Sequence, residues 1–169
     1  HVCISNPEVQ ELIYQEMVKW AKNGALAIQL AQTDGYQACQ CDGCEKLFGV
    51  KEHSEKLWIL HRSIAERVLK ARPGKKVMII SYGPTVKPPK SFDTFPDNVM
   101  IELCSYSPAS FEAWKKIKVP HGFLVYIYNW GNRDEVATFL SPNAKAFYTG
   151  SNTYEQWAKL PGGATTAAV

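Results

Sequence analysis

The feature that most constrains this chain is a regular change of hydrophobic period. Stretches with apolar residues every three or four positions alternate with short, almost continuous apolar runs. The first pattern is one face of a helix, and the second is a strand buried in a sheet. Val9, Leu12, Ile13, Met17 and Trp20 mark a first helix. It opens at Ser5-Asn6-Pro7-Glu8, where Ser5 or Asn6 can cap, Pro7 fits the first turn and Glu8 suits the positive end of the dipole. Asn23-Gly24 closes it. Leu57, Leu60, His61, Ile64, Ala65, Val68 and Leu69 mark a second helix, stopped at Arg72-Pro73-Gly74. Phe111, Trp114 and Ile117 mark a third, capped at Ser107-Pro108. Strands are expected over 25–31, 76–82, 98–104 and 122–128, the first of them buried on both faces. His1-Val2-Cys3-Ile4 reads as the end of a further strand.

Strands alternating with amphipathic helices imply parallel pairing through right-handed crossovers. The expected fold class is therefore α/β, as an open doubly wound sheet or as part of a (β/α)8, TIM-like barrel. Such a barrel takes roughly 250 residues, and at least about 200, against 169 here. The chain is thus expected to form an incomplete barrel, its sheet completed by the rest of its own polypeptide or by a partner chain. The barrel segment is placed at 1–131. The stretch 132–169 is read as irregular or short-helical, with a flexible tail over 161–169. With 46% hydrophobic and 21% charged residues the chain can bury a core. Its net charge of +3 is spread along the sequence, which argues against a nucleic-acid partner. No apolar run approaches the roughly 20 residues of a membrane span.

In parallel α/β folds the functional groups lie at the C-terminal ends of the strands. Here those ends carry Gln32-Thr33-Asp34-Gly35-Tyr36, Ser81-Tyr82, the stretch from Glu102 to Tyr106, and Tyr128-Asn129-Trp130. All five cysteines fall on the same side. Asp34 stands at a strand end before a glycine, where it would serve as an acid, base or nucleophile, or as the anchor of an Asx-type turn. Glu102 lies inside an apolar strand, sharing a face with Met100 and Cys104. A carboxylate there must be paired, protonated or functional, and a buried salt bridge to a Lys or Arg is the plainer expectation. Together Asp34 and Glu102 would make an acid/base pair for glycoside hydrolysis. No G-x-G-x-x-G follows a strand and no G-x-S-x-G occurs, which argues against a dinucleotide site and a serine hydrolase.

Cys39-x-Cys41-x-x-Cys44 places three thiols in six residues. As thiolates they suit a tetrahedral Zn²⁺ or an iron–sulfur cluster, with Cys3, Cys104 or His53 as the fourth ligand. A disulfide within the loop or free thiols are the competing readings. Gln32, Tyr36, Tyr82, Tyr128, Asn129 and Trp130 combine aromatic faces with amides, as sugar-ring stacking and hydroxyl recognition require. Tyr106 joins this set, while ordinary core packing is expected for Tyr126. Trp20, Trp58 and Trp114 are expected in the core, and His61 as a packed histidine.

Several motifs carry a resemblance. They are Cys3-Ile-Ser-Asn-Pro-Glu-Val9, Gln32-Thr-Asp-Gly-Tyr36 with the cysteine triplet, Lys56-Leu-Trp-Ile-Leu-His61, Ser81-Tyr-Gly-Pro84, Pro96-Asp-Asn-Val99 and Tyr126-Ile-Tyr-Asn-Trp-Gly131. In this order they resemble a bacterial family of domains of unknown function. Its members look like glycoside-hydrolase (β/α)8 barrels, are distantly similar to β-hexosaminidase and α-glucuronidase barrels, and are often encoded near polysaccharide-degrading functions. The resemblance implies a carbohydrate-active barrel with Asp34 as the leading active-site acid. A protein acting on polysaccharide is expected to be exported, to the periplasm or beyond. A non-catalytic carbohydrate-binding module and a metal-stapled structural domain are the alternatives.

Overall fold

Apolar stripes mark the two long helices, and a side-chain cap opens the first. In the computed structural model, which describes residues 1–104, 108–126 and 164–167, α1 covers Pro7–Lys22. Asn6 caps it, its Oδ1 accepting the Glu8 N–H at 2.8 Å. The long helix α3 covers His53–Ala71 and α4 covers Pro108–Trp114. The cysteine loop holds a short helix, α2, at Asp42–Lys46, followed by a 3-10 turn at Leu47–Gly49. The strands are β1 Ala27–Leu30, β2 Lys76–Ser81, β3 Val99–Leu103, β4 Phe123–Tyr126 and β5 Ala164–Ala167.

All pairings are parallel, and the strands lie side by side in chain order. The register aligns Ile28 with Val77 and Val99, and Leu30 with Ile79, Ile101 and Phe123. Because side chains alternate across a sheet, these residues share one face. They join Met17 and Ala21 of α1, Leu57, Trp58, Ile64 and Val68 of α3, and Trp114 of α4 in a single buried core. The described crossover helices therefore cover the same face. The opposite face carries Gln29, Met78, Ile80, Met100, Glu102 and Leu124, and none of these belongs to that core.

Four expectations need correction. Residues 1–4 are not a strand, because the Asn6 N–H bonds the Cys3 carbonyl at 3.2 Å and turns the chain there. β1 is buried on one face only. Ile28 and Leu30 point into the core, while Ala27 and Gln29 are exposed. Trp20 and Leu12 are exposed, at 57% and 66%. The inward stripe of α1 runs through Met17, Val18 and Ala21, and the roughly 100° between successive helical residues turns Trp20 out. Finally, 164–167 is a strand against β4 rather than part of a tail. A backbone ladder needs no apolar alternation, and Ala-Thr-Thr-Ala offers none. Trp58, Trp114 and His61 are buried as expected.

Candidate functional site

Two constellations stand at the C-terminal side of the strands. The first is built by the cysteines. Cys41 caps α2, its sulfur accepting the Cys44 N–H at 3.5 Å. This sets Cys41 and Cys44 side by side. The turn at 3–6 brings Cys3 onto them, 3.6 Å from each sulfur. With Cys39, four sulfurs lie within 4.8 Å of one another. The fourth member is thus Cys3, while Cys104 and His53 stand outside the set. There is no disulfide among the described residues. Four thiolates around one ion with metal–sulfur bonds of about 2.3 Å stand about 3.8 Å apart, so the observed spacing could hold a metal ion.

The charges in this cluster are uneven. The Cys44 N–H, then the Ser5 hydroxyl, pull the Cys41 thiol down to about 6. Cys3 is also lowered, chiefly by Ser5 and then by Cys44. At Cys39 the Cys41 N–H favours the thiolate, but the neighbouring Cys41 and Cys44 sulfurs outweigh it and push the thiol up to about 11. The cluster is anchored from behind. Lys56 of α3, fully buried, donates from Nζ to the Glu45 carbonyl at 2.9 Å, at the C-terminal end of α2. Its neighbour Glu55 accepts the Lys90 and Ser91 N–H groups at 2.8 and 3.0 Å, fixing the loop after β2.

The loop after β1 lies beside the cysteines. Gln32 donates from Nε2 to the Tyr82 carbonyl and, at 2.9 Å, to Thr85 Oγ1, tying the end of β1 to the turn after β2. Its Oε1 is buried without a hydrogen-bond partner among the described residues. Asp34 is exposed in the turn with Gly35, whose φ is +61°. Tyr36 is half-buried and packs edge-on to His1 at 5.7 Å. Burial raises its phenol's pKa, and the Cys44 and Cys39 charges add to this. The His1 imidazole Nδ1 also lies 3.0 Å from Thr33 Oγ1.

The second constellation is Glu102 with Gln29. Glu102 sits one residue from the end of β3, on the face opposite α1, α3 and α4, and is 4% exposed. The expected partner was a Lys or Arg. Instead Gln29 Nε2 donates to Glu102 Oε2 at 3.0 Å, and no ion pair reaches Glu102 among the described residues. Burial raises the carboxyl's pKa, and the Gln29 bond only partly counters it. Sequence reasoning missed Gln29, although it is the one polar residue inside the apolar run 25–31. Tyr82 is exposed at the end of β2, and Tyr126 closes β4 half-buried. Tyr106, Tyr128, Asn129 and Trp130 lie outside the described residues.

These features define a class: an α/β protein with a parallel sheet in chain order and a cluster of four thiols at its strand ends. The chain belongs to the family described as a domain of unknown function (DUF4838), whose model matches residues 1–137. The expected membership in a domain-of-unknown-function family is thus borne out. No curated protein and no solved structure matches the chain.

Proposed function

We propose that this chain forms part of the wall of a glycoside-hydrolase-like (β/α) barrel that binds and cleaves a polysaccharide or oligosaccharide. The observation that carries the reading is Glu102. It lies near the C-terminal end of a parallel strand, on the face opposite the described helices, paired with a neutral amide and biased by burial toward its protonated form. A carboxyl group kept protonated is what a general acid for a leaving-group oxygen requires. Strand order adds support, because parallel strands in chain order, with the described crossover helices α3 and α4 on one face, wind as a barrel does. The Gln29–Glu102 bond spans β2. Side chains two strands apart meet most readily where a sheet face is concave, as inside a barrel. Further strands would come from elsewhere in the polypeptide or from a partner chain.

In this reading Asp34 is the second carboxylate, in the loop after β1. Gln32, Tyr36 and Tyr82, with Tyr128, Asn129 and Trp130, contact sugar. Cys3, Cys39, Cys41 and Cys44 hold one structural Zn²⁺ that fixes the loop bearing Asp34. A polysaccharide-active protein is exported, so the metal must be in place before the thiols meet oxidant. Among the described residues no helix is long and apolar enough to cross a membrane.

The test is release of reducing ends by the full protein from a panel of polysaccharides and aryl glycosides. Glu102→Gln is expected to lower turnover at least about 100-fold while circular dichroism and glycan retention stay unchanged. Wild-type turnover in that variant overturns the assignment of Glu102. Glycan retention without cleavage by the wild-type protein replaces the enzyme reading with a binding module.

A further inference from the structure

Ser5 does something that its place before a helix does not explain. The cap of α1 is Asn6, not Ser5. The Ser5 hydroxyl instead lies 3.3 Å from Cys3 Sγ, 3.3 Å from Cys44 Sγ and 3.8 Å from Cys41 Sγ. It thus reaches three of the four sulfurs.

A second, independent observation concerns Gly43, inside α2 between Cys41 and Cys44. Its backbone is not in the left-handed region, unlike that of Gly35 or Gly49. Conformation therefore does not require glycine there, but space does. A Cβ on residue 43 would stand 2.7 Å from Ser5 Oγ, 3.4 Å from Ser5 Cβ and 3.9 Å from Cys41 Sγ. The first distance is far inside van der Waals contact, and the atom it meets is the hydroxyl.

We propose that Ser5 is a positioning residue of the four-cysteine metal centre: once the cysteines are thiolates its single O–H donates to one ligating sulfur at a time, and Gly43 is the clearance that lets it do so. The proposal rests on the metal reading given above and adds a residue that touches the ligands but not the ion. Four thiolates on a divalent ion carry a net charge of −2, so each hydrogen-bond donor aimed at sulfur stabilises the site. The Cys44 N–H supplies one such donor to Cys41, and Ser5 supplies another. A donated hydrogen bond also lowers the energy of the sulfur lone pairs, which moves thiolate-to-metal charge transfer to higher energy.

The experiment is titration of the reduced, metal-free full protein with Co²⁺, followed by Zn²⁺ competition. The wild type is expected to bind one Co²⁺ per chain with thiolate charge-transfer absorption. Ser5→Ala is expected to keep that stoichiometry, lose about 10–100-fold in affinity and shift the band to lower energy. Ser5→Thr, which keeps the hydroxyl, should recover both. Gly43→Ala should weaken binding by itself, yet add little in a Ser5→Ala background, because the atom it strikes has gone. Unchanged affinity and band in Ser5→Ala overturn the proposal, as do effects of the two substitutions that simply multiply. A wild type that binds neither metal refutes the metal centre itself, which is a different failure.

Discussion

On one face of the sheet Val77, Ile79, Val99 and Ile101 are completely buried beneath α1, α3 and α4. On the other, Met78, Ile80, Met100 and Leu124 are only half-buried, and Glu102 holds a hydrogen bond to Gln29. Strands β2 and β3 supply both faces, with successive residues going to opposite sides. Some polar groups on the helix-bearing side serve packing directly. Buried Trp58, for example, donates from Nε1 to the Lys87 carbonyl at 2.9 Å while stacking edge-on to Phe95 and Trp114 at 5.7 and 5.6 Å. The open side spends buried area on a carboxyl group that contributes nothing to a core. Apolar packing is concentrated on one face and the buried carboxyl group lies on the other, with the cysteine cluster joining the loops at the strand ends.

The largest expected effect is loss of the cysteine centre. Chelation, or Cys44→Ser, is expected to lower the melting temperature by about 10 °C or more, read by thermal circular dichroism. The helical signal at 25 °C should survive, because the core under α1 and α3 is built mostly from apolar side chains outside the cluster. Next, Ile79→Ala is expected to cost about 2–5 kcal/mol in denaturant unfolding, and its neighbour Ile80→Ala about 1 kcal/mol. Equal costs would erase the distinction between the faces.

Two buried titratable groups, one on each face, sharpen the contrast through pH. His61, on the helix side, is pushed down to about 4 by burial. It stays neutral in the fold while the unfolded chain takes up a proton below about 6.5. Stability from this residue is present above that value and falls as pH drops toward 4, by up to about 3 kcal/mol. Glu102, on the open side, is raised by burial. Its contribution is fullest at low pH and is lost as pH rises through the ordinary glutamate range toward its raised value. His61→Leu should flatten the first slope and Glu102→Gln the second in melts across pH. Slopes of one sign in both variants would contradict the assignment. The smallest effect is expected at the exposed Lys19–Glu16 pair, 3.0 Å apart, where Lys19→Ala should change stability by no more than about 0.5 kcal/mol.

Much of the fold was legible because it is written in local periods. The stripe Leu57–Leu60–Ile64–Val68 faces the core as its spacing requires, and the strands at 76–81, 99–103 and 123–126 fall inside the expected runs. The candidate metal site was legible in three of its four members, because Cys39, Cys41 and Cys44 are neighbours in the chain. Cys3 was one of three options, since its pairing depends on a turn at 3–6 that brings distant sulfurs together. Glu102 stood out as a carboxylate in an apolar strand, but its partner did not. Gln29 is 73 residues away, and only the register of three strands aligns the two.

The sequence by itself determined the alternation of helices and strands, and hence parallel pairing, because hydrophobic period and caps act over a few residues. It also determined which residues of each strand share a face, because that follows from alternation alone. Tertiary structure alone decided which side the helices cover. It also decided which stripe of α1 turns inward, leaving Trp20 in water, and which sulfur completes the cluster. These depend on contacts between segments far apart in the chain, whose energies no local pattern encodes. The strand at 164–167 belongs to the same group, since its pairing with β4 is made by backbone amides that every residue there carries alike.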